Sequence, residues 1–101
     1  MPEEILFVDD EDYILDIATQ IFADRGLDIL TSNSPADALD KLKKHEIAVL
    51  VSDNHMPGMR GIELLSRVKV ISPDTVKILM TGFADLETAL EAINRVEVYR
   101  F

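Results

Sequence analysis

Acidic and hydroxyl side chains follow three short apolar segments, each at the point where a buried strand would end. Asp9 and Asp10 follow residues 5–8, Asp53 follows the segment 48–51 and Ser52, and Thr81 follows residues 76–80. If these segments are parallel strands and the first lies next to the third, the Asp10 and Asp53 carboxylates converge at one edge of the sheet. Like charges brought together need a cation, and Mg²⁺ accepts carboxylate oxygens while leaving room for water or a phosphoryl oxygen. The spacing therefore predicts a divalent-cation site.

The elements that must position these side chains alternate between apolar and amphipathic segments. Apolar segments at 5–8, 27–31, 48–51, 76–80 and 96–101 predict five strands. Four intervening helices are predicted. Apolar residues at helical spacing mark the first (Ile14, Ile17, Ala18, Ile21 and Phe22), the third (Leu65 and Val68) and the fourth (Leu86, Ala89, Leu90 and Ile93). The second helix begins at Ser34-Pro35 and runs to about Lys44. Short connections predict an α/β three-layer sandwich with a parallel sheet and right-handed crossovers.

Composition bounds the class of protein. The 101 residues suit a single domain over 1–101, and no apolar run approaches the roughly 20 residues that cross a bilayer. The 19 acidic residues against 10 basic ones give a net charge of −9, which argues against direct nucleic-acid binding. The start Met1-Pro2-Glu3-Glu4 does not read as a secretory signal and there is no cysteine, so we expect a cytoplasmic protein.

The sequence resembles the receiver domains of bacterial two-component response regulators, the CheY-like superfamily. The resemblance covers essentially the whole chain. It rests on three motifs at successive strand ends: Phe7-Val8-Asp9-Asp10-Glu11, Val51-Ser52-Asp53-Asn54-His55-Met56-Pro57-Gly58-Met59-Arg60-Gly61, and Met80-Thr81-Gly82. It implies a flavodoxin-like sandwich with strand order 2-1-3-4-5 and a signalling switch rather than an enzyme, beyond the domain's own phosphoryl acceptance and slow dephosphorylation.

The resemblance also implies a role for each acidic residue. Asp53 is the expected phosphoacceptor, taking a phosphoryl group from a sensor histidine kinase or a phosphotransfer protein. Mg²⁺, or Mn²⁺, would be bound by Asp10, Asp53 and the backbone carbonyl of His55, with Asp9 acting mainly through metal-bound water. The alternative for Asp9 and Asp10 is a solvated helix N-terminus, where acids favour the helix dipole.

Residues near the C-terminus receive switch roles from the same resemblance. Thr81 is the expected switch hydroxyl, although a lone threonine can simply bond to backbone in a turn. Phe101 takes the position of the rotating aromatic residue, with Tyr99 as the second candidate. The fourth-helix and fifth-strand face would be read by a fused or separate output domain.

Access of water to the phosphoryl group is expected to depend on a second set of side chains. Gly82 leaves space beside the acceptor, and His55 and Phe83, two positions after Asp53 and Thr81, border the path of the hydrolytic water. The His55 imidazole itself is expected to face solvent, because Mg²⁺ prefers oxygen ligands to nitrogen.

The chain departs from the receiver pattern at its end. The lysine expected after the fifth strand and the fifth helix do not appear, so we interpret the chain as truncated there. The flank of the sheet near Val98 would then be exposed, which favours a homodimer or domain swapping. Two other functions stay open: a phosphorylation-independent interaction platform, and a magnesium-dependent phosphohydrolase, which usually carries an aspartate where His55 stands.

Overall fold

The protein is described from a computed structural model, over residues 4–80. Strands and helices alternate in this part of the chain: β1 (Glu4–Val8), α1 (Asp12–Asp24), β2 (Ile29–Ser32), α2 (Pro35–Lys44), β3 (Ile47–Asp53), α3 (Gly61–Ile71) and β4 (Val76–Met80). The apolar segments predicted as the first four strands and the first three helical patterns all form the expected type of element.

The four strands form one parallel sheet in the order β2-β1-β3-β4. β1 lies between β2 and β3, with Val8 opposite both Ser32 and Ser52. β3 pairs with β4, so that Asp53 lies opposite Met80. This confirms the predicted flavodoxin-like order as far as the fourth strand, and it places the carboxyl ends of all four strands at one edge.

Helices cover both faces of the sheet because the strand side chains alternate between them. Leu6, Val8 and Leu50 point to one face and pack with residues of α2 and α3, while Phe7 and Val51 point to the other face and pack with α1. Leu65 and Val68 of α3 are fully buried, as predicted. The result is a three-layer sandwich in which β1 and β3 are central.

The structure corrects two details of the sequence prediction. β2 begins at Ile29, so Leu27 precedes it and is exposed. In α1, the predicted inward residues Ile17 and Ile21 are each 51% exposed. The predicted fourth helix and fifth strand lie outside the described residues.

The inward face of α1 contains the predicted residues Ile14, Ala18 and Phe22 together with Leu15, which was not predicted. The inward face is therefore shifted toward Leu15 and away from Ile17 and Ile21. No helix among residues 4–80 combines the length and apolar character needed to span a membrane.

Candidate metal centre

The carboxyl ends of β1 and β3 bring three acidic side chains together. Because these strands are adjacent, Asp9 and Asp10 follow β1 next to the point where Asp53 ends β3. One carboxylate oxygen from each of the three lies within 4.8 Å of the others. Of the residues in the described part of the chain, these are the ones grouped closely enough to bind one ion, and they are the acids predicted from the strand ends.

Burial differs among the three carboxylates. Asp9 is 6% exposed and its Oδ1 accepts the backbone N–H of Glu11 at 3.0 Å. Asp53 is half-buried and Asp10 is exposed. A buried acid, a half-buried acid and an exposed acid therefore form an acidic recess that opens to solvent on the Asp10 side.

The electrostatics of this recess disfavour bare negative charge. Burial raises the pKa of Asp9 above its ordinary value, and the charges of Asp53 and Asp10 raise it further, against the lowering effect of the Glu11 amide. Burial also raises the pKa of Asp53, with a smaller contribution from Asp10, while the backbone amide and the charge of His55 act in the opposite direction. A cation would relieve both the repulsion and the lost solvation.

The donor set fits a hard divalent ion. All three side chains offer carboxylate oxygens, which Mg²⁺ and Mn²⁺ accept readily, and the open side leaves positions for water or a phosphoryl oxygen. The His55 side chain is exposed, in agreement with the prediction that its imidazole faces solvent. His55 follows Asp53 closely enough in the chain for its backbone carbonyl to border the same recess, and its role as a ligand stays a prediction.

The loop after Asp53 is held by the start of α3. A Cβ atom on Gly61 would lie 2.3 Å from the backbone oxygen of Asp53 and 2.9 Å from the Cα of Asn54, so α3 approaches the end of β3 more closely than a side chain permits. Ser52 is fully buried and its hydroxyl donates to the same Asp53 carbonyl at 2.9 Å. These contacts fix the backbone that carries the central carboxylate.

Several predicted residues cannot be compared with the structure. Thr81, Gly82, Phe83, Tyr99 and Phe101 all lie outside the described residues. Their roles stay predictions from the resemblance.

Other residues at the site were not singled out from the sequence. Asn54 is 2% exposed, and its backbone N–H, its carbonyl and its side chain all form hydrogen bonds. Gly61 and Ser52 contact the Asp53 backbone. The available signal for Gly61 was its position at the junction between the turn-rich segment 56–61 and the third helical pattern, because a glycine where a helix begins permits close approach of another backbone.

A cavity of about 280 Å³ lies elsewhere, lined by Glu46, Ile47, Ala48, Ser72, Asp74 and Thr75. These residues belong to the amino-terminal ends of β3 and β4 and their connections. The cavity is therefore at the opposite edge of the sheet from the three aspartates. In parallel α/β sheets the functional crevice lies at the carboxyl ends of the strands, which is where the three aspartates lie.

Comparison with protein families matches residues 5–101 to the response regulator receiver domain. The hydrogenase transcriptional regulatory protein HoxA of Cupriavidus necator is 31% identical over 97 residues, which is 96% of this chain and 20% of that protein. The sporulation initiation phosphotransferase F of Bacillus subtilis is 34% identical over 92 residues, which is 91% of this chain and 74% of that protein. The chain thus spans about a fifth of the first relative and about three quarters of the second.

The solved structures that this chain resembles include receiver domains as well. The signal receiver domain of an HD domain-containing protein from Pseudomonas fluorescens Pf-5 matches with a TM-score of 0.92 and 34% identity, over 99% of this chain and 80% of that one. A response regulator receiver domain protein from Clostridium thermocellum matches with a TM-score of 0.89 and 29% identity, over 98% of this chain and 79% of that one.

Proposed function

Because the chain belongs to the family of response regulator receiver domains, we propose that it is a phosphorylation switch in which Asp53 accepts the phosphoryl group. The observation that carries the proposal is the convergence of Asp9, Asp10 and Asp53 within 4.8 Å at the ends of two central, adjacent strands. Holding these carboxylates together costs free energy unless a cation neutralises them, and the arrangement would place a nucleophilic carboxylate beside such a cation. A purely structural role would give no reason to keep three carboxylates close together against their mutual repulsion.

The proposed reaction is transfer from a phosphohistidine to Asp53. A carboxylate oxygen of Asp53 attacks the phosphorus, the P–N bond breaks, and its electron pair leaves with the imidazole, which takes up a proton. The product is an acyl phosphate on Asp53, and attack of water on its phosphorus later regenerates the carboxylate and free phosphate. The nucleophile needs no general base when it is ionised, so positioning and charge neutralisation are the main requirements.

We propose that Asp10, Asp53 and the His55 carbonyl hold Mg²⁺ or Mn²⁺, and that Asp9 acts through water. When bound, the ion neutralises charge on the phosphoryl oxygens. Asp9 is almost completely buried, and the Glu11 amide fixes its orientation at 3.0 Å. Both features suit a residue that positions a metal-bound water. Asp10 is exposed at the entrance, where an incoming phosphoryl donor would meet it.

The signal would then pass from Asp53 to the neighbouring strand. The backbone N–H of Asn54 donates to the carbonyl of Met80 at 2.9 Å, so β4 is bonded directly to the loop after the acceptor. We propose that Thr81, the next residue, moves toward the phosphoryl group and that Phe101 changes position with it. The partners would be a histidine kinase or phosphotransfer protein and an output domain, in the cytoplasm, and self-association of this chain is part of the same proposal.

A second candidate function is a binding platform that works without phosphorylation. The exposed apolar residues Tyr13, Ile17 and Ile21, spaced four apart on α1, favour a protein contact on that helix. This candidate predicts that Asp53 can be replaced without loss of partner binding.

Binding of beryllofluoride, a phosphoryl mimic, tests the proposal. The protein is titrated with beryllofluoride in the presence of Mg²⁺ while backbone amide spectra are recorded, and Asp53→Asn is the control. We expect saturable, magnesium-dependent shifts that begin near Asp53 and extend to Thr81 and Phe101, and none in the control. Magnesium binding without spread to Thr81 and Phe101 would favour the binding platform instead.

A further inference from the structure

Asn54 has an unusual environment for a polar residue next to the acceptor. It is 2% exposed, in a loop whose neighbouring residues His55, Pro57 and Gly58 are exposed. Burial of an amide costs free energy unless its polar atoms are bonded. Among residues 4–80, no buried side-chain nitrogen or oxygen atom lacks a hydrogen-bond partner. Asn54 is therefore buried with its bonding satisfied, and those bonds show what it holds in place.

The side chain of Asn54 caps α3 from a distance. The first amides of a helix have no partners within the helix, and Arg60, which precedes α3, has no side-chain acceptor to offer them. Instead the Ile62 N–H donates to Asn54 Oδ1 at 3.1 Å, and the Gly61 N–H donates to the Asn54 carbonyl at 3.1 Å. One residue, directly after β3, thus satisfies the first two amides of α3.

The same residue is also bonded to β4. Its backbone N–H donates to the Met80 carbonyl at 2.9 Å. Asn54 is therefore fixed by its N–H, its carbonyl and its side chain, and it stands between Asp53 and His55 in the chain. Residues 55–60 form neither helix nor strand, so the backbone at His55 is restrained on one side by the bonds of Asn54 and on the other by the buried Met56 side chain.

We propose that Asn54 is a positioning residue for the metal centre: by capping α3 it holds the peptide groups on either side of it, and so sets the direction of the Asp53 carboxylate and the His55 carbonyl. This inference rests on the proposed function, because it assumes that Asp53 and His55 face a bound divalent ion. Partners that orient metal ligands without touching the metal typically contribute 10-fold to 100-fold to metal affinity.

The test compares two variants that each remove one side-chain cap. Asn54→Leu keeps the branched shape and the number of side-chain heavy atoms, and it lacks the oxygen that accepts from Ile62. Ser34→Ala removes the corresponding bond of α2, in which Ser34 Oγ accepts the Asp37 N–H at 3.2 Å. Both variants lose a helix cap, so loss of stability alone affects both, and only Asn54→Leu disturbs the loop after Asp53.

Magnesium affinity is measured for each protein from amide shifts, well below the unfolding temperature. We expect Asn54→Leu to bind Mg²⁺ about tenfold more weakly than the wild type, at the lower end of the range for indirect partners. Ser34→Ala should stay within about twofold of the wild type, because its cap does not contact the metal loop. Faster hydrogen exchange at the Gly61 and Ile62 amides in Asn54→Leu would verify that the α3 cap has been lost.

Equal affinities in the wild type and Asn54→Leu, or an equal loss in both variants, would overturn the inference. If Asn54→Leu does not give a folded spectrum, Asn54→Ala is titrated in its place, because it removes the same oxygen without a branched side chain to accommodate. A wild-type protein that binds no Mg²⁺ would instead refute the proposed function, and this result is distinct from a failure of Asn54 to matter.

Discussion

Replacement of Gly61 by alanine should disturb both the stability and the metal centre. The added Cβ would lie 2.3 Å from the Asp53 oxygen, against about 3.4 Å for ordinary contact, so the end of β3 and the start of α3 must separate by about 1 Å. The atoms that it meets all belong to the backbone of Asp53 and Asn54, so no side chain can rotate away. Overpacking of this kind costs about 1 to 3 kcal/mol, and we expect the upper end.

Urea unfolding followed by far-UV circular dichroism measures this cost, and magnesium titration measures the displacement of Asp53. Gly26→Ala is the matched control: Gly26 has φ +77° and no atom within 4 Å of its added Cβ, so it should lose only about 1 kcal/mol through backbone conformation. Its magnesium affinity should not change. If Gly61→Ala is no less stable than Gly26→Ala and binds Mg²⁺ as the wild type does, the close approach of α3 to the acceptor is wrong.

Three further predictions concern charge and buried polar contacts. Asp9→Asn should stabilise the metal-free protein by about 1 kcal/mol in thermal scans, because it relieves repulsion among the carboxylates. Mg²⁺ at 100 times its Kd should add roughly 2.7 kcal/mol to the unfolding free energy of the wild type, and it should add less to that of Asp9→Asn. Unchanged stability both without and with Mg²⁺ would contradict this. Lys41→Met should cost about 0.5 to 1 kcal/mol at neutral pH, where Lys41 bonds to the half-exposed Asp37. Because this bond lowers the pKa of Asp37 below its ordinary 3.8, the difference from the wild type in urea unfolding should persist above that value and shrink as pH falls through the lowered pKa. Thr75→Val should cost about 1 to 3 kcal/mol in urea unfolding, because the buried Thr75 hydroxyl donates to the Ile47 carbonyl at 2.6 Å, and magnesium affinity should stay unchanged.

The grouping of the three acids could be predicted from the sequence because it depends on where each strand ends, which is a local property of the chain. A buried strand is a short apolar run, and the first polar residues after it must lie at the edge of the sheet. Asp9, Asp10 and Asp53 could therefore be grouped once the order of strands was assumed, and the observed order β2-β1-β3-β4 confirms that assumption.

Features that depend on contacts between elements were harder to predict. Periodicity identifies α1 as a helix, but Ile17 and Ile21 are as apolar as Leu15, and only the packing shows which stripe faces the sheet. The role of Asn54 depends on a bond to Ile62 across a loop, eight residues away, and no local pattern indicates it. Sequence patterns report on neighbours along a helix or strand, and a cap supplied from another element does not follow them.

Direct phosphorylation of Asp53 tests the central claim. The chain is incubated with Mg²⁺ and a small phosphodonor such as phosphoramidate, and intact mass is recorded over time for the wild type, for Asp53→Asn and for the wild type with a chelator. We predict one added phosphoryl group on the wild type with Mg²⁺, and none in the other two samples. A wild type that gains no phosphoryl group, or an Asp53→Asn variant that gains one, would contradict the assignment of Asp53 as the acceptor.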